Sequence, residues 1–111
     1  MNIQIIGTKK SRETQKAERF FRERSIPFHF RDLNVKGLSR GELENITGKI
    51  SADELIDRES KRYKERGLGY MVFNAEEELL NDPLIVKTPI VRNGSLSTVG
   101  YTPEIWSEWL K

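Results

Sequence analysis

The sequence predicts an α/β domain in which a β-α-β half and a β-β-α half flank a helical middle segment, with the four strands in one mixed sheet. Three observations predict it. An apolar run at the start, an amphipathic stretch and an alternating run follow one another within about 30 residues, the size of a βαβ unit. The middle, about 34–82, carries helix-capping signals and no alternating run. The last third opens on two strand-like runs around Asn93-Gly94 and closes on a helix signal. At 111 residues the chain is the size of one ordinary domain, and no repeat or Pro/Gly/Ser-rich linker divides it, so 1–111 reads as a single domain.

Asn2 to Ile6 holds three isoleucines in five residues and ends at Gly7, as a short buried strand does. A basic loop, Thr8-Lys9-Lys10, follows. Ser11 then stands where an N-cap belongs, with Glu13 and Thr14 in the turn behind it. Ala17, Phe20 and Phe21 fall at i, i+3 and i+4, leaving Lys16, Glu18, Arg19 and Arg22 to other faces. The helix should end before Pro27. Phe28-His29-Phe30-Arg31 alternates like a half-buried strand with His29 on the surface, and the crossover favours parallel pairing.

In the middle segment, Ser39 with Glu42 makes a capping box, bracketed by a hydrophobic staple between Leu38 and Leu43. Ser51-Ala52-Asp53-Glu54 repeats the box ahead of Leu55 and Ile56. Asn74 with Glu77 opens a short helix that carries Leu79 and Leu80 and stops before Pro83. The run from Asp57 to Arg66 alternates in sign and reads as an exposed helix face, with Asp57 and Lys61 paired at i, i+4. Three or four short helices are expected here. Asn93-Gly94 then turns a hairpin between Ile90-Val91-Arg92 and the run Ser95 to Val99. Thr102 caps a final helix with Pro103 at its first position, and Ile105, Trp106, Trp109 and Leu110 supply its buried face. This is the element order of a thioredoxin-like (glutaredoxin-like) domain with a helical insertion between its halves.

Composition narrows the function. Apolar residues make up 36% and charged residues 32%, which allows a core under a heavily charged surface. Nineteen Lys and Arg against seventeen Asp and Glu leave a formal charge of +2, with the signs interspersed, so direct nucleic-acid binding is not expected. The absence of cysteine excludes disulfides, thiolate metal ligands and a thiol nucleophile, and one histidine cannot make a zinc site. No apolar run approaches the roughly 20 residues that span a bilayer, and the start of the chain has no secretory pattern. A cytoplasmic protein without membrane contact is the expectation.

In a domain of this order, the loop joining the first strand to the first helix holds the reactive group. First-turn N–H groups and the helix dipole favour negative charge there, which depresses the pKa of a thiol. Here that loop is Gly7-Thr8-Lys9-Lys10-Ser11-Arg12-Glu13-Thr14, and the sulfur position is Ser11. Lys9, Lys10 and Arg12 flank the helix start as an anion cradle for phosphate, sulfate or a glutathione carboxylate; the plainer reading is a solvated basic loop.

Gly7-Thr8-Lys9-Lys10-Ser11 followed by Lys16-Ala17-Glu18-Arg19-Phe20-Phe21 resembles the start of the arsenate reductase-like (ArsC/Spx/YffB) family. Asp57 to Lys64, then Thr88-Pro89-Ile90-Val91-Arg92-Asn93-Gly94, then Val99-Gly100-Tyr101 continue the resemblance in order, over essentially the whole chain. It implies a cis-proline, Pro89, facing the Ser11 loop. It also implies a thiol-dependent reductase with no bound cofactor that uses glutathione as co-substrate and acts on a small thiol or oxyanion. Ser11 takes the nucleophile position, Arg58 lies near the family's oxyanion-binding arginine, and Thr88 with Pro89 forms the docking backbone.

Two departures set further expectations. Ser11 replaces the cysteine, and a hydroxyl is hardly ionised near neutrality and forms no mixed disulfide, so the chain as written should be redox-inactive. Arsenate reductases carry an arginine directly before the cis-proline, where this chain has Thr88 after Lys87, so arsenate is not the expected substrate. Ser11 is either the resident residue of a redox-silent protein or a Cys→Ser replacement; the two side chains are nearly isosteric. As a bare N-cap it stabilises the helix by about 1 kcal/mol. The competing expectation is a non-catalytic, Spx-like regulator that binds RNA polymerase, its Cys-x-x-Cys pair standing here as Ser11 and Thr14. Trp106 and Trp109 read as core.

Overall fold

The computed structural model describes residues 1–111. The elements run β1 (Ile3–Gly7), α1 (Arg12–Glu23), β2 (Phe28–Asp32), α2 (Arg40–Thr47), α3 (Lys61–Glu65), α4 (Ala75–Asn81), β3 (Ile90–Asn93), β4 (Leu96–Val99) and α5 (Pro103–Trp109). Single 3₁₀ turns lie at Asp53–Leu55, Leu68–Tyr70 and Pro83–Ile85. The sheet order is β2-β1-β3-β4, with β1 parallel to β2 and antiparallel to β3, and β3 antiparallel to β4. This is the mixed four-stranded, thioredoxin-like arrangement.

Side chains alternate across a strand, so β1 feeds two separate cores. Ile3 and Ile5 join Ala17, Phe20 and Phe21 of α1, Val91 of β3 and Trp106 of α5. Ile6 faces the opposite way, into a larger cluster built from the insertion with Leu33, Leu43, Leu55, Leu79 and Ile90. Helices α1 and α5 therefore cover one face of the sheet, and the insertion covers the other. The Trp106 indole N–H donates to Thr98 Oγ1 at 2.8 Å and so ties α5 to β4. No helix is long and apolar enough to cross a membrane.

Ser11 caps α1, and the helix ends where Ser25 turns left-handed (φ +58°), two residues before Pro27. The Ser39–Glu42 box is complete, each partner bonding the other's backbone N–H. Leu38 and Leu43 are both buried in the insertion core.

Several local expectations change. Ser51 accepts from Glu54 N–H at 3.3 Å but opens only one 3₁₀ turn, because the chain at once pairs Ile56 with Val86. Asp57 does not pair with Lys61. Its carboxylate caps Glu59 N–H at 3.0 Å, while Lys61 lies 3.6 Å from Glu65. The hairpin turns on Gly94-Ser95 rather than Asn93-Gly94, with Asn93 opposite Leu96 and Gly94 leading at φ +60°. Thr102 precedes α5 without a side-chain cap bond, and Ile105, expected in the core, is 42% exposed.

Two ion-pair groups fasten the insertion. Arg31 of β2 meets Glu42 of α2 at 2.6 Å. Burial pushes the Glu42 carboxyl upward, but the bonds from Arg31 and Ser39 outweigh it and hold it below its ordinary value. Arg62 and Arg66 converge on Asp82 at 2.8 and 3.0 Å, and Arg66 also grips Glu78 with a forked bond. Burial again raises the Asp82 carboxyl, and the bonds from Arg62, Arg66 and Leu84 N–H overcome that and lower it.

Candidate active site

The site begins with a close approach. A Cβ on Gly7 would lie 2.3 Å from Thr14 Oγ1, so glycine lets the first turn of α1 press against the end of β1. Thr14 is fully buried there. The short loop between them is tied down twice: Ser11 N–H donates to Thr8 C=O at 3.2 Å, and Gln15 Nε2 donates to Lys9 C=O at 2.7 Å. Ser11 Oγ then accepts from Thr14 N–H at 3.2 Å.

A second segment arrives from the insertion side. Lys87 N–H donates to Leu55 C=O at 2.7 Å and Asp57 N–H to Ile85 C=O at 2.8 Å, which fixes the strand leading into β3. The Thr88–Pro89 peptide at its end is cis. Thr88 Oγ1 donates to Ser11 Oγ at 2.9 Å, so the helix cap and the proline segment touch directly.

Polar groups are left free around this contact. The backbone N–H groups of Lys9, Lys10, Arg12 and Glu13 make no hydrogen bond, and neither the N–H nor the C=O of Thr88 is paired. Lys9, Lys10 and Arg12 are exposed and form no ion pair. Beside Thr88 opens a cleft of about 530 Å³, lined by Thr8, Lys10, Asn34, Asp57, Leu84 and Val86 among others. One cation thus faces one carboxylate across an apolar wall. Asn34, Asp57 and Leu84 belong to three separate segments, and no local pattern marks them as neighbours.

Arg58 stands elsewhere. Its Nη1 donates to the Tyr63 hydroxyl at 2.8 Å and its Nη2 lies 3.6 Å from Asp53. It lines a different cleft, together with Lys87, which none of Ser11, Lys9, Lys10, Arg12 or Thr88 lines. The structure therefore joins Ser11, Thr88 and Pro89, sets Lys10 on the wall of the adjoining cleft, leaves Lys9 and Arg12 exposed, and keeps Arg58 out of that group.

Chemically, Ser11 Oγ accepts both of its hydrogen bonds and contacts no histidine or carboxylate. It has no base in contact to take its proton, so nothing in the arrangement activates the hydroxyl as a nucleophile. No three His, Asp or Glu side chains converge to hold a metal ion.

No family model and no curated protein sequence matches the chain. Solved structures do. A YFFB protein superposes with a TM-score of 0.87 at 19% identity, over 98% of this chain and 99% of that one. An ArsC family-related protein from Bacteroides fragilis gives 0.85 at 21%, over 97% of each chain. The fold is that of the arsenate reductase-like proteins. An arsenate reductase from Vibrio cholerae shares it as well, with a TM-score of 0.79 at 18% identity over 97% of both chains. Coverage this complete means that the insertion belongs to the arsenate reductase-like fold, and is not an addition peculiar to this chain.

Proposed function

We propose that this chain is a redox-silent relative of the glutathione-linked, thiol-dependent reductases, keeping their binding junction with a hydroxyl where the reacting sulfur would be. The observation that carries the reading is the 2.9 Å contact between Ser11 and Thr88, which joins the helix start to the cis-proline segment. In this reading the unpaired N–H and C=O of Thr88 receive the extended backbone of glutathione or a similar small thiol compound. The free first-turn N–H groups, with Lys9, Lys10 and Arg12, hold a carboxylate or oxyanion. Arsenate suits the site less well, because Thr88 offers a hydroxyl before the proline and Arg58 is engaged by Asp53 and Tyr63.

Ser11→Cys tests the proposal. The new thiolate attacks a disulfide sulfur and expels one thiolate. A first glutathione thiolate displaces the second and leaves glutathione bonded to the protein sulfur, and a second glutathione attacks that mixed disulfide, releasing glutathione disulfide and the protein thiolate. Over the cycle one disulfide is reduced and two glutathiones are oxidised to their disulfide. The expected result is glutathione-dependent reduction of a small disulfide by the variant and none by the parent. Equal, background rates for both proteins would overturn the reading.

A further inference from the structure

A second cleft lies along the outer edge of β4 and shares only Asp57 with the cleft beside Thr88. It encloses about 610 Å³. Strand β4 ends the sheet, so one side of its backbone has no partner strand. In an antiparallel pair, residues alternate between bonding across and bonding outward. Gly100 N–H donates to Pro89 C=O, and by that alternation Thr98 and Leu96 bond to β3 while Ser97 and Val99 direct their N–H and C=O groups outward. Ser97 and Val99 are two of the residues that line the cleft.

The cleft straddles that edge. Ile50 and Ile56 of the insertion wall one side, and Thr102 and the half-exposed Ile105 of α5 wall the other. Thr102 Oγ1 is buried there with no hydrogen-bond partner. Proteins usually blunt an exposed strand edge with charge or proline. The other edge strand, β2, carries His29, Arg31 and Asp32 and follows Pro27; β4 reads Leu96-Ser97-Thr98-Val99 and has neither device. The rim holds four carboxylates, Asp53, Glu54, Asp57 and Glu59, against two cations, Arg58 and Lys87. Arg58 is already within 3.6 Å of Asp53, and Glu59 within 3.6 Å of Lys64, which leaves Glu54 and Asp57 facing Lys87.

We propose that this edge is a docking site for an extended, basic peptide segment, which adds to β4 as a fifth strand. Main-chain bonds to Ser97 and Val99 supply the pairing, alternate apolar side chains meet Ile105 on the α5 face, and the basic side chains between them cross Ile50 and Ile56 to the Glu54 and Asp57 rim on the insertion face. The proposal does not depend on chemistry at Ser11.

The test uses the intact chain and two end-capped fluorescent hexapeptides, (Lys-Val)₃ and (Glu-Val)₃, followed by anisotropy at low ionic strength. The basic peptide should bind at least about tenfold more tightly, and Glu54→Lys should reduce its affinity by about fivefold or more. Ser97→Pro removes one outward N–H without removing a bond to β3, and should abolish binding. Amide hydrogen exchange of the unmutated protein reads the same contact without any variant: the Ser97 and Val99 amides should slow when the basic peptide is added. Excess glutathione should leave all of this unchanged. Equal binding of both peptides, no binding, or unaltered exchange at Ser97 and Val99 would overturn the proposal. So would slowing of those amides with protein concentration alone, accompanied by a doubled mass in light scattering, which would assign the edge to a second copy.

Discussion

Thr88 and Ser11 stand 77 positions apart in the chain and share a hydrogen bond of 2.9 Å. The bond joins two elements that reach the site from different sides: α1, whose first turn rests on Gly7, and the segment that Leu55 and Asp57 hold ahead of Pro89. Whatever atom occupies position 11 accepts from a hydroxyl on one side and from Thr14 N–H on the other.

In a Ser11→Cys variant, those two donors and the helix start all favour the ionised sulfur. The thiol should titrate below roughly 7.5, against about 8.5 for an unperturbed cysteine. Adding Thr88→Val should raise it by about one unit, because one donor is lost. The pH dependence of iodoacetamide alkylation measures both, and identical profiles for the two variants would show that Thr88 does not act on the sulfur.

Gly7→Ala should destabilise the protein by about 1–3 kcal/mol, since the new methyl collides with a buried threonine rather than with the end of a flexible chain. Thr14→Ala in the same protein removes the colliding atoms and should recover most of the loss. Urea midpoints of the two single variants and the double variant form the cycle that checks it.

Thr98→Val keeps the shape of the side chain and strands the Trp106 indole N–H, which is buried and has Thr98 Oγ1 as its partner. A cost of about 1–3 kcal/mol is expected, larger than the loss of an exposed hydrogen bond. Tryptophan emission, to which Trp106 and Trp109 both contribute, follows the loss of stability through a thermal melt.

Acid should loosen the insertion first. The folded-state values of Glu42 and Asp82 are lowered, so each carboxylate contributes stability above its unfolded value, near 4, and loses it as pH falls through the folded one. Stability should therefore be nearly flat from about pH 5 to 8 and should fall below about pH 4. Asp82→Asn should lower stability at pH 7 and make the decline below pH 4 shallower. Chemical denaturation at pH 7, 4 and 3 gives both slopes.

The β-α-β half was legible because its signals are local: three isoleucines before Gly7, a cap at Ser11, and Phe20 with Phe21 one turn beyond Ala17. What the sequence did not reveal is settled between distant residues. The hairpin turn sits one residue later than Asn93-Gly94 because its register places Val99 opposite Ile90, two side chains that both meet the insertion core. Arg62 lies within the charge-alternating run from Asp57 to Arg66, yet its partner is Asp82, 20 positions on. Ile105 lies on a helix of seven residues, too short to bury more than the face that carries Trp106. At the site, Ser11, Thr88 and Pro89 could be named from motifs, whereas Asp57 and Asn34 are neighbours only because the insertion folds back over the sheet.

The two cores on either side of the sheet have a practical consequence. The isoleucines of β1 divide strictly between them, Ile5 to one and Ile6 to the other. A hole cut beneath Trp106 cannot be filled by side chains sliding in from Leu43 or Leu79, because a continuous hydrogen-bonded wall lies between. A cavity opened on one face is therefore expected to leave the side-chain packing of the other face in place, although β1 and β3 contribute to both.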